Sequence, residues 1–243
     1  MDSVRVLGVR VDRVNLASAV AEIERLVDRS DGPQLVATVN PEFVMRAGAD
    51  PLFRRVLDGA ALAIPDGIGV VWAMRRQGAR AQTRVTGADL VPALAQLCVR
   101  RSWRLFLLGA QPGVAAAAAA RLQQTMPGLS IAGTHAGSPG PEGDEESLRR
   151  IAAAGPDLLL VAYGHPRQEL WVERNRARIQ VPVAVGVGGA FDFIAGRVRR
   201  APLAVQRLHV EWLWRLGAEP WRARRMAVLP VYAAQVLLHR ERV

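Results

Sequence analysis

A chain of 243 residues, half of them apolar, can build one sizeable core or a core with a small appendage, which excludes a disordered chain. Its one cysteine, Cys98, excludes an internal disulfide framework and suits a reducing compartment. The formal net charge is +10, and ten arginines against three glutamates between positions 197 and 243 put +7 of it at the C-terminal end; with no lysine anywhere, arginine count argues little and placement must carry the weight.

In chain order, the first residues carry charges throughout and lack the apolar core of a signal peptide, so the expectation is a cytoplasmic protein. VRVLGVRV (4–11) reads as a strand, followed by NLASAVAEIERLVDR, in which Asn15 stands as an N-cap and apolar residues recur at helical spacing. QLVATV (34–39) and AALAI (60–64) are the next strands. Cys98, in LVPALAQLCVR, reads as a buried structural thiol, because no His or basic partner stands near it. RLFLLG (104–109), LSIAG (129–133), DLLLVAYG (157–164) and VPVAVGVGG (181–189) continue the series, each followed by a helix-compatible segment. VAAAAAARLQQ is a tightly packed alanine helix, and GSPGPEGDEES (137–147) is a surface loop leading into an acidic helix start. Near-continuous apolar strands between helices predict an α/β, Rossmann-like, mostly parallel sheet covered on both faces over residues 1–200. A basic helical appendage, 201–243, follows. Its apolar run MAVLPVYAAQVLL (226–238) contains Pro230 and Gln235 and falls short of the roughly 20 residues that span a bilayer, so it suits lying on a membrane but not crossing one.

Polar residues collect where these strands end. Thr38 and Asn40 close one, with Glu42 just beyond; Asp66 and Gly67 close the next, Gly109 to Gly113 another, and Gly164 and His165 another. In an open α/β sheet the carboxyl ends of the strands form the ligand crevice, so these side chains are expected to converge. Asn40 and Asp66 are equally residues of the kind that cap helices, and capping is compatible with a ligand contact. The turn LLGAQPG leaves backbone N–H groups at a helix start, a setting that suits phosphate. Its glycines match neither a dinucleotide fingerprint nor a Walker loop, and VGVGGAFD is no better a match. H-E-x-x-H, a cysteine cluster, G-x-S-x-G and a metal-holding Asp-x-Asp pair are all absent from the sequence, which removes most support for metalloenzyme, protease and lipase readings.

Seven stretches in order, TVNPEFVMRA, IPDGIGVVWA, RVTGADLVPAL, LFLLGA, PDLLLVAYGHPRQELW, GVGGAFDFIAGRVRRAP and VEWLWRLGAEPWRARR, together resemble the WecG/TagA/CpsF bacterial glycosyltransferases over nearly the whole chain. The resemblance implies inverting transfer of a hexose unit, N-acetylmannosamine or a related sugar, from a UDP-sugar to a polyprenyl-diphosphate-linked saccharide. It implies no essential metal and no cofactor. Residue by residue, it implies that Asp66 is the base, with Thr38 and Asn40 beside it, and that Arg84 and Gln168 are further site positions. For Arg84 an exposed salt bridge is the plain alternative. The loops beginning at Gly109, Gly133 and Gly164, with Asp192, are expected around the nucleotide.

The appendage resembles a family element linked to membrane engagement. Arg215, Arg222 and Arg225 match its arginines and are expected to face the acceptor diphosphate or the departing UDP. Trp212, Trp214 and Trp221 suit a lipid boundary, whereas an ordinary packed helix is the plain alternative. Ala204 and His209 depart from the family pattern, which typically has an aromatic and a glycine there. The expected partners are therefore a UDP-sugar, the lipid-linked acceptor and an anionic membrane surface, with no nucleic acid and with homo-oligomers left open. Two rival classes are a nicotinamide-dependent oxidoreductase, which accounts for the sheet alone, and a basic nucleic-acid-binding protein, which accounts for the tail alone.

Overall fold

The computed structural model of the chain describes residues 2–29, 31–80, 82–199, 201, 202, 205, 214 and 226–238. Its elements in order are β1 (Ser3–Val6), β2 (Val9–Asp12), α1 (Leu16–Arg29), β3 (Gln34–Val39), α2 (Pro41–Ala49), α3 (Pro51–Asp58), β4 (Leu62–Pro65), α4 (Ile68–Arg76) and α5 (Gly87–Arg101). There follow β5 (Arg104–Gly109), α6 (Val114–Thr125), β6 (Ser130–His135), α7 (Asp144–Ala154), β7 (Leu158–Ala162), α8 (Arg167–Arg174), β8 (Val183–Gly186), α9 (Ala190–Ile194) and α10 (Val228–Leu238).

Six strands form a fully parallel sheet in the order β4-β3-β8-β7-β5-β6. Side chains alternate across it, so Leu35, Ala37 and Val39 enter one apolar layer while Val36 enters the other. Helices α2, α3, α4, α7, α8 and α10 cover the first face, and α1, α5, α6 and α9 the second. Burial on both faces is why these strands are continuously apolar and not alternating. Cys98 lies in the second layer, where burial pushes its thiol up to about 12 and leaves it inert at neutral pH.

The stretch expected as one strand, 4–11, is instead a hairpin. Leu7 and Gly8 both take positive φ, 47° and 81°, giving a two-residue turn that folds β1 back antiparallel onto β2. The pair forms its own small sheet. It is fastened to the main sheet by the buried Asp12, whose Oδ2 accepts a 2.7 Å hydrogen bond from the Ala63 N–H on β4.

Of the expected helix caps, Asn15 and Asn40 are present. Asn15 Oδ1 accepts from the Ser18 N–H at 2.9 Å, and Asn40 Oδ1 accepts from the Phe43 N–H at 3.2 Å. Among the described residues no helix is long and apolar enough to cross a membrane.

Candidate active site

A cavity of about 440 Å³ opens over the carboxyl ends of β4, β3, β8 and β7, four neighbouring strands. That volume lies in the range of small-ligand sites, roughly 300–1,000 Å³. Thr38, Asn40, Asp66, Arg84, Gly164 and Gln168 all line it, so residues scattered over 130 positions of sequence share one wall. Glu42, Thr86 and His165 line it too.

Each polar residue is positioned by its element. β3 ends at Val39, and Asn40 then caps α2, leaving the rest of its amide at the cavity edge. Thr38 is buried and its hydroxyl donates to the Gly186 carbonyl at 2.9 Å, so its proton is committed to joining β3 to β8 while its lone pairs stay available as acceptors. Asp66 follows β4, its N–H donating to the Val39 carbonyl at 2.7 Å. It is not the cap of α4. That position belongs to Gly67, whose φ of 108° an L side chain rarely adopts and which makes no side-chain cap bond. Val85 donates to the Pro65 carbonyl at 2.9 Å, which carries the half-buried Arg84 alongside the end of β4 and into the cavity wall. Thr86 then caps α5, accepting from the Asp89 N–H at 3.2 Å.

Gln168 does something the sequence did not indicate. Its side-chain oxygen accepts from two backbone donors, Gly164 N–H at 3.2 Å and Gly188 N–H at 3.1 Å, bridging the loops after β7 and β8. Its Nε2 donates to Glu169 Oε1 at 2.6 Å. Most of its bonding capacity is therefore spent inside the protein, and it acts on a ligand chiefly by shaping the wall.

Three sequence-selected positions lie outside this cavity. Gly109 ends β5, two strands away from β8, and is required by packing: its φ is 103° and a Cβ there would sit 2.7 Å from the Ala162 carbonyl carbon. Gly133 does not begin a loop, because β6 continues to His135; it faces Phe106, whose ring a Cβ would meet at 2.7 Å. Asp192 lies on the short α9, where its carbonyl accepts from Arg197 and Val198, while its neighbours Ala190 and Phe193 line the cavity. Arg215, Arg222, Arg225, Trp212, Trp221, Ala204 and His209 lie outside the described residues; Trp214 is exposed.

The remaining wall is apolar and was missed. Ile68 and Trp72 of α4 face Met226, Leu229, Tyr232 and Ala233 from the C-terminal segment. Tyr232 is buried and its hydroxyl donates to the Gly69 carbonyl at 3.1 Å, pinning α10 to α4. The close approach depends on Gly69, where a Cβ would lie 2.8 Å from Pro41 Cγ and 3.4 Å from Tyr232 Cε1. The only sequence signal for this was the apolar run 226–238, which composition could equally assign to a lipid surface. Among the described residues no three His, Cys, Asp or Glu side chains gather as a metal set.

The cavity thus joins two carboxylates, Asp66 and Glu42, hydroxyl and amide groups and an arginine on one side to an apolar wall on the other. This suits a polar, anionic molecule reacting beside a greasy one. Comparison with known proteins points the same way. A curated N-acetylglucosaminyldiphosphoundecaprenol N-acetyl-beta-D-mannosaminyltransferase of Bacillus spizizenii is 38% identical over 225 residues, 92% of this chain and 86% of its own. Its namesake in Bacillus subtilis is 36% identical over the same shares. One from Staphylococcus aureus is 30% identical over 96% of this chain and 91% of its own. The model of the glycosyl transferase WecG/TagA/CpsF family matches residues 4–243, cavity and C-terminal segment alike, and the chain belongs to that family.

Proposed function

We propose that this glycosyltransferase moves N-acetylmannosamine, or a closely related hexose unit, from its UDP-sugar to a polyprenyl-diphosphate-linked acceptor such as the N-acetylglucosamine lipid named for its relatives. The observation that carries the reading is the convergence of Asp66, Thr38, Asn40 and Arg84 on one cavity at the strand ends. The glycine turn a nicotinamide enzyme would use, at Gly109, lies outside that cavity.

The chemistry is a single displacement. The Asp66 carboxylate takes the proton of an acceptor hydroxyl as that oxygen bonds to the anomeric carbon from the face opposite the leaving group. The bond from that carbon to the β-phosphate oxygen breaks with its electron pair, and UDP departs, so the anomeric configuration inverts. Thr38 accepts from one sugar hydroxyl through its oxygen and Asn40 donates to another through Nδ2, fixing the angle of approach. Arg84 meets the growing diphosphate charge with a planar, two-pronged donor, joined by Arg215, Arg222 and Arg225 on the strength of the family resemblance. The apolar wall of α4 and α10 gives the acceptor's lipid end a place to lie, with the protein held peripherally on an anionic membrane surface.

Mass spectrometry of products from a panel of UDP-sugars with a polyprenyl-diphosphate N-acetylglucosamine acceptor tests the proposal. A product heavier by one N-acetylhexosamine, formed only with the N-acetylmannosamine donor, is the expected result. No transfer from any UDP-sugar by a folded protein, with membranes supplied, would sink it.

A further inference from the structure

Glu169 is fully buried beside the cavity without lining it. Its Oε1 accepts the 2.6 Å bond from Gln168 Nε2, while its Oε2 has no hydrogen-bond partner among the described residues. Consecutive residues on a helix ordinarily point about 100° apart and do not face each other. Here both turn toward Gly186 of β8, where a Cβ would fall 2.6 Å from Gln168 Nε2 and 2.7 Å from Glu169 Oε1. Burying a carboxyl with one oxygen unsatisfied costs stability that a methionine or leucine would not. Packing alone does not account for an acid in this place.

An amide is nearly symmetric in shape, so what lies at each end decides which way it points. Two backbone N–H groups hold the Gln168 oxygen, and the Glu169 carboxyl holds its nitrogen. We infer that Glu169 is a positioning residue for the donor site: by anchoring the Gln168 amide it clamps the loop at Gly164 to the loop at Gly188, two walls of the cavity. That this cavity takes the UDP-sugar rests on the function proposed above; the clamp itself does not. Burial pushes the Glu169 carboxyl up to about 8, so at neutral pH it keeps its proton and a glutamine resembles it in both shape and charge.

The test compares the full chain with E169Q and E169M by hydrogen exchange at the peptides holding Gly164 and Gly188, by UDP titration calorimetry and by thermal melting. E169Q should keep both loops protected and UDP affinity within about twofold, because its amide oxygen still accepts. E169M should speed exchange at both loops and weaken UDP binding about five- to tenfold, the equivalent of one lost hydrogen bond, without lowering the melting temperature. That separation of loop order from global stability is what a purely structural role would not produce. Unchanged exchange at both glycines in folded E169M overturns the clamp, as does equal damage from E169Q. If E169M fails to fold, E169L, which removes the same acceptor with a shorter side chain, is read in its place. A wild-type chain that ignores UDP, with loops that open in E169M, would refute the donor reading and leave the clamp standing.

Discussion

Asp66 is the residue on which the proposed chemistry turns, and its placement separates rate from affinity. It stands at a strand end with its backbone fixed by Val39 and its helix capped by Gly67, so D66N should fold as the native chain does. Removing only the proton acceptor should lower turnover roughly a hundredfold or more and leave UDP affinity little changed. Steady-state kinetics beside UDP titration check this. Arg84 should behave differently, R84A weakening donor binding as well as turnover, because the proposed mechanism sets its charge against the diphosphate in both ground and transition states. Glu169 carries a separate pH signature. Burial raises its pKa from the ordinary 4.5 to about 8, so the folded state binds a proton that the unfolded state has released across that window. Its contribution to stability is full below pH 4.5 and is lost as pH rises through 8. The melting temperature of E169Q relative to wild type should therefore climb between those limits and level off above them.

At the scale of elements, the meeting of α8 with β8 leaves no room for a side chain at Gly186. G186A must push apart two fully buried side-chain ends and break the Gln168–Glu169 bond, at a cost of about 1–3 kcal/mol by analogy with overpacked cores. Denaturant unfolding measures that cost, and weakened UDP binding should accompany it. The α4–α10 contact is gentler: Y232F removes one hydrogen bond to Gly69 and should raise proteolytic cutting within 226–238 about fivefold while leaving the sheet intact. The same elements show how far the sequence could be read. RLFLLG was legible to the residue, because a strand buried on both faces is uniformly apolar and stops at its glycine. The hairpin was not, since Leu7 at positive φ is no turn signal and the valines on either side form one continuous β-like run. LSIAG was cut short at Gly133, a strand glycine that reads as a loop start only while Phe106 beneath it is unseen.

In the whole molecule, the polar half of the site was legible because the strand-end rule applies wherever a parallel sheet stands, whereas the apolar half required knowing that residues 226–238 fold back against α2 and α4. A chain ending at Arg200 tests the division. It keeps all eight strands of the described residues and the groups from Thr38 to Gln168, and loses Met226, Leu229 and Tyr232 along with Arg215, Arg222 and Arg225. UDP binding should persist in weakened form and transfer to a lipid-linked acceptor should collapse; full transfer by the shortened chain would reduce the C-terminal segment to packing.

The strand order carries one more consequence, for the order of birth. Among the described residues β8 is the last strand to be made, yet it sits in the middle of the sheet, with β3 on one flank and β7 on the other. A nascent chain that has reached residue 180 therefore holds two half-sheets, each with an unpaired inner edge, and no crevice between them. Only four residues, Val183–Gly186, zip the halves together, and the same event brings Gly188 within reach of Gln168. Synthesis must pass Gly188 before that crevice has both of its walls, and until then the unpaired edges of β3 and β7 are open to pairing with other strands.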